Sequence, residues 1–89
     1  MIKLNGVTVD FESLLIKPKD NQVVLSIKDM DSIKTATDAL KDSDEATVEI
    51  FNDDKLFVTI TGEQDHTIQV TQRGEPALRV TIVGNIEVV

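Results

Sequence analysis

Leu56–Gln72 reads LFVTITGEQDHTIQVTQ. Leu56, Val58, Ile60, Ile68 and Val70 occupy even positions, while threonine, glutamine and Phe57 fill most of the odd ones. A period of two marks a strand with one covered face and one wet face. Gly62 to His66, GEQDH, breaks the apolar series in its middle and predicts two strands joined by a turn. Registers that keep apolar residues together then set Ile60 opposite Ile68 and Val58 opposite Val70. The next hairpin sets Val70 opposite Leu78 and Ile68 opposite Val80. Upstream, Ile50 meets Leu56 and Val48 meets Val58. This leaves Asn52-Asp53-Asp54 as a three-residue loop whose last residue takes a positive φ.

These registers predict that Val48, Val58, Ile60, Ile68, Val70 and Val80 are buried together. They also predict three rows on the reverse face: Thr61, Thr67 and Thr81; Thr59, Gln69 and Arg79; Phe57, Thr71 and Ala77. A wet sheet face is threonine-rich because the branched Cβ suits a pleated surface and pairs across strands.

Working outward, Asn5-Gly6 lies between the alternating runs of MIKLNGVTVDF and favours a tight type I′ turn. It pairs Leu4 with Val7 and Ile2 with Val9 on one face, with Lys3 and Thr8 on the other. Leu14 to Ile16 is too short to assign by period: it fits a strand continued through a bulge or a single helical turn. Pro18 and its polar neighbours form a loop, and Val23, Leu25 and Ile27 alternate along a further strand. The helix candidate is DMDSIKTATDALKDSD, with Met30, Ile33, Ala36 or Thr37, and Leu40 on one stripe. Asp29 or Asp31 caps its start, and Lys41 suits its negative end. At about three turns such a helix is marginal alone and must dock on a sheet. In VGNIEVV, Gly84-Asn85 predicts a turn into a last strand, Ile86 to Val89. With Glu87 as its only charged guard, that strand needs cover from the N-terminal hairpin or from a neighbouring subunit.

The 89 residues make one domain, 1–89, and 40% hydrophobic content suffices for an aliphatic interior. The absence of cysteine excludes disulfides and thiolate metal sites and fits a reducing cytosol. No apolar run is long enough for a signal peptide or a membrane span, so the expectation is a cytoplasmic protein, or one incorporated into a particle after cytoplasmic synthesis. A net charge of −7 repels a nucleic-acid backbone, and Arg73 and Arg79 are the only arginines. Ordinary solubility explains such a charge.

His66 has no zinc-type spacing around it, although Glu63 and Asp65 flank it. Asp29-Met-Asp31, Asp42-Ser-Asp44-Glu45 and Asp53-Asp54 offer calcium oxygens. The first has Ile33 where a calcium loop needs an oxygen ligand. Ser13, Ser26, Ser32 and Ser43 lack the glycine-flanked turn of a hydrolase, the glycines form no phosphate loop, and the acids fall in turns rather than a cleft. No catalytic, cofactor-binding or metal-binding residue is expected, and no enzyme activity.

The fold expected is α+β: one mainly antiparallel meander sheet of about seven short strands, with one helix over about residues 30–41. The alternative is a small barrel or sandwich plugged by the helix. The function expected is a non-enzymatic protein-interaction or assembly module, without nucleic-acid or membrane partners. Its contact residues are Phe57, Thr59, Gln69, Thr71 and Arg79, and its partner is another protein or a second copy. Small, cysteine-free, acidic, threonine-rich β proteins look like components of phage or prophage particles, a likeness of composition that assigns no role to any residue. The alternative function is a small-ligand or calcium-binding domain using the acidic turns.

Overall fold

A computed structural model describes residues 1–70 and 72–89. In chain order the elements are β1 (Ile2–Leu4), β2 (Val7–Val9), β3 (Ser13–Lys17), a 3-10 turn (Pro18–Asp20), β4 (Gln22–Ile27), α1 (Met30–Leu40), β5 (Glu45–Asn52), β6 (Lys55–Val70) and β7 (Pro76–Val88). The strands form one antiparallel seven-stranded sheet in the order β2-β1-β5-β6-β7-β4-β3. The fold is α+β, and the sheet is not closed into a barrel.

It is nevertheless strongly curled. β2 and β3 are its two edges, yet only Asp10, Phe11 and Glu12 connect them. Flat, the edges of such a sheet would stand about 29 Å apart, whereas the chain from Val9 to Ser13 reaches about 14 Å at most. The crossing is anchored at both ends. Asp10 donates its N–H to Ser32 Oγ at 3.0 Å, and Glu12 donates to the Ser26 carbonyl at 2.7 Å. The interior of the curl holds Ile2, Leu4, Val9, Val23, Leu25, Ile27, Val48, Val58, Ile60, Leu78, Val80 and Ile82, together with Ile33, Ala36 and Leu40 of α1.

The local signals work as the sequence implies. Asn5 and Gly6 have φ of 50° and 83°, with Ile2 opposite Val9 and Leu4 opposite Val7. Asp29 caps α1 by accepting from Ser32 N at 2.9 Å, and Ile33, Ala36 and Leu40 bury the stripe while Met30 stays exposed. The carbonyls at the helix C-terminus, which lack intrahelical donors, are met by the sheet. Asn5 Nδ2 donates to Ala39 O at 3.0 Å and Gln64 Nε2 to Leu40 O at 3.4 Å, with a shorter contact of 2.6 Å to Ser43 O just beyond the helix. Leu14 to Ile16 belongs to a strand: Leu14 and Ile16 face Leu25 and Val23 and pack against the core.

Two predicted turns are strand interiors. β6 runs unbroken through GEQDH, and β7 runs unbroken through Gly84-Asn85. Gly62 lies directly opposite Gly84. Straight, β6 would span about 50 Å, but the molecule's longest dimension is 38 Å. The hairpin therefore bends. The glycine pair marks where the backbones close in, because a Cβ on Gly62 would lie 2.1 Å from Val83 O.

The registers shift accordingly. Val48 faces Ile60 and Ile50 faces Val58, and Asp53-Asp54, with φ of 49° and 66°, form a two-residue turn. A bulge between Ile50 and Phe51 reconciles that turn with the ladder. Ile68 faces Leu78 and Val70 faces Pro76. These shifts preserve parity, so the six residues expected in one core do share a face. Their burial is nonetheless split: Val48, Val58, Ile60 and Val80 are buried, whereas Ile68 is 57% and Val70 71% exposed. The N-terminal hairpin pairs with β5, not with Ile86–Val89, which instead belongs with β6.

Candidate interaction surface

The exposure of Ile68 and Val70 follows from lengths. β5 reaches along β6 only as far as the Glu45–Glu63 pair, and Gln64 N then donates to Asp44 O at 3.0 Å. Among the described residues, nothing pairs with that flank of β6 beyond Gln64. In an antiparallel ladder, the N–H and C=O of alternate residues point to the same neighbour. Phe57 O accepts from Val89 N at 2.9 Å, so odd residues of β6 bond to β7 and even residues turn towards β5. His66, Ile68 and Val70 thus aim their backbone groups at an open flank. Their side chains lie on the face that, further back, carries Val58 and Ile60.

The other strand of the hairpin repeats this at its opposite end. β4 covers β7 up to Gln22–Val83, and Gly84 N donates to Asn21 O at 2.8 Å. The next even residues, Ile86 and Val88, aim their backbone groups past the end of β4. Ile86 is half-buried against the core and Val88 is exposed. The β6–β7 hairpin thus overhangs its neighbours twice, on opposite flanks and at opposite ends.

His66 is a strand residue, not a turn residue, and is half-buried. Gln64 spends its amide N–H on Ser43 O, which leaves Oε1 to accept from His66 Nδ1 at 2.9 Å. In the neutral ring the proton therefore sits on Nδ1. This chain of contacts ties the root of the overhang to the end of α1.

The five contact residues expected from the sequence do not form one patch. Phe57 is half exposed near the β5–β6 turn. Thr59 lies between Glu49 and Glu87, Gln69 opposite Ala77, and Arg79 between Thr67 and Ser26. The expected row of Thr59, Gln69 and Arg79 is not formed: Thr59 and Gln69 stand on opposite sides of the Gly62–Gly84 bend, about 33 Å apart along a straight strand. The row of Thr61, Thr67 and Thr81 is likewise dispersed, since their partners on the β6–β7 ladder are Asn85, Arg79 and Asp65. Thr71 lies outside the described residues; the other two members of its expected row are not neighbours, since Ala77 pairs with Gln69 while Phe57 bonds to Val89 at the opposite end of the hairpin.

The outer face is electrically uneven. Glu49 and Glu87 flank Thr59 at the β7 overhang. Arg79 sits beside Thr67 and diagonal to Asp65 at the β6 overhang, and Lys28 and Arg73 line a cleft of ≈ 350 Å³ with Gln72 and Glu75 at the hairpin tip. Lys28 is paired with Glu12 at 2.9 Å. No group of three His, Asp or Glu side chains that could hold a metal ion occurs among the described residues. None of their helices is long and apolar enough to cross a membrane. The open flanks escape a reading of the sequence because they depend on partner strand lengths. The clue available was that Glu45–Asn52 is too short to cover the alternating run after Gly62.

Comparison with protein-family models, curated proteins and solved structures gave no match.

Proposed function

We propose that this chain is a non-enzymatic interaction and assembly module that binds protein by strand addition at the open flank of β6. The observation that carries this reading is the coincidence, at Ile68 and Val70, of outward backbone groups with exposed aliphatic side chains. Strand addition uses both: main-chain hydrogen bonds supply affinity, and alternate side chains supply selectivity. Natural edge strands are normally blunted by lysine, proline or a bulge. Thr67-Ile68-Gln69-Val70 contains no charge and no proline, and its pairing to β7 is regular. Incorporation into a larger particle would use the same flank.

Residue-resolved amide hydrogen exchange on the dilute chain tests this. The amides of Ile68 and Val70 should exchange rapidly while Thr67 and Gln69, bonded to β7, are protected. Protection of Ile68 and Val70 equal to that of Thr67 would show the flank already covered and end the proposal.

A further inference from the structure

Resting on that reading, we infer that the partner is a second copy of this chain, joined head to tail: the β6 flank at His66–Val70 of one copy adds to the β7 flank at Ile86–Val88 of the next. The two flanks are matched in kind. Each offers backbone groups on alternate even residues, and each places aliphatic side chains on the interior face. An antiparallel register that sets Ile68 against Val88 and Val70 against Ile86 joins four aliphatic side chains in one row. That row continues the interior faces of both sheets.

Charge selects unlike flanks over like ones. Pairing β6 with β7 brings Glu87, with Glu49 behind it, towards Arg79 of the neighbouring copy. Pairing two β6 flanks offers Arg79, which stands on β7 one strand behind the flank, no glutamate of the other copy's β7 overhang. Pairing two β7 flanks sets Glu87 towards Glu87, in a chain that already carries −7. Opposite potentials favour the first arrangement over both others. Because each copy contributes one flank of each type, the contact is heterologous and propagates into a ring or a filament.

Proline at an outward-facing position removes one flank N–H without removing a β6–β7 hydrogen bond. Light scattering coupled to size exclusion, across concentration, should show the wild type growing beyond a dimer. Ile68→Pro alone and Val88→Pro alone should remain monomeric. Their equimolar mixture should stop at a dimer, since each retains one competent flank. Ile68→Lys and Val88→Lys, which leave the backbone unchanged, should weaken association about tenfold or more, and they serve if a proline variant does not fold. Dimers of Val88→Pro alone, dimers of Ile68→Pro alone, or a wild type that is monomeric at every concentration would each overturn the head-to-tail inference. Rapid exchange at Ile68 and Val70 in a strictly monomeric wild type would leave the open flank standing and remove only the second copy as its partner.

Discussion

Gly62 and Gly84 face one another across the centre of the β6–β7 hairpin, each filling the space that a side chain on the other would need. A Cβ on Gly62 would meet Val83 O at 2.1 Å, and one on Gly84 would meet Thr61 O at 2.1 Å. Both obstacles are backbone, so neither can swing aside. On either side of this pair the hairpin serves different neighbours: β5 on one flank, β4 on the other.

Gly62→Ala and Gly84→Ala should each destabilise the fold by about 3 kcal/mol, the upper end of the range for forcing atoms into closed packing, because both obstacles are backbone. Urea denaturation reads this directly. Gly74→Ala is the control: Gly74 has φ 79° with nothing near its Cβ position, so only backbone strain of about 1–2 kcal/mol applies.

Ile60 and Ile68 share a strand and a face, but Ile60 is fully buried and Ile68 is 57% exposed. Ile60→Ala should cost about 3 kcal/mol through lost transfer energy and a cavity. Ile68→Ala should change the stability of the monomer by about 0.5 kcal/mol or less. Equal losses in denaturation midpoint at the two positions would contradict the described end of the core.

Ser32 is buried, and its Oγ accepts the Asp10 N–H that anchors the crossing between the sheet edges. Ser32→Ala should destabilise by about 1 kcal/mol. Hydrogen exchange at the Asp10 amide should accelerate more than at Glu12, whose acceptor is the Ser26 carbonyl. Unchanged exchange at Asp10 would mean that this hydrogen bond does not hold the crossing.

Gln64→Ala removes the donor to Ser43 O and the acceptor for His66 Nδ1. The expected cost is about 1 kcal/mol. Ring nitrogen chemical shifts of the neutral His66 ring should report the Nδ1–H tautomer in the wild type. They should move towards the Nε2–H form in the variant. The same tautomer in both would show that Gln64 does not orient the ring.

Local chemistry was legible wherever the deciding contact lies within a few residues. Asn5-Gly6 determined its own turn, Asp29 its own cap, and the three-to-four spacing of Ile33, Ala36 and Leu40 the buried stripe of α1. Parity was equally secure, because a period of two survives a register shift of two residues. Val48 therefore shares a face with Val58 and Ile60 even though its expected partner was wrong.

The candidate surface was less legible. Only a register with a turn at Gly62 groups Phe57, Thr59, Gln69 and Arg79. In a continuous strand they fall into separate regions. A glycine in an alternating run signals a departure from ordinary strand geometry, but a turn and a close backbone crossing both use that freedom. The opposing residue decides between them, and Gly84 is 22 positions away.

The sequence by itself determined the α+β class, the positions of most strands and the helix, and the face shared by Val48, Val58, Ile60, Ile68, Val70 and Val80, because these follow from spacing along a stereoregular backbone. Only the tertiary structure decided how far that face is covered, since cover depends on where β4 and β5 end against a longer neighbour. That difference in length leaves Ile68, Val70 and Val88 exposed, with their backbone groups facing outward.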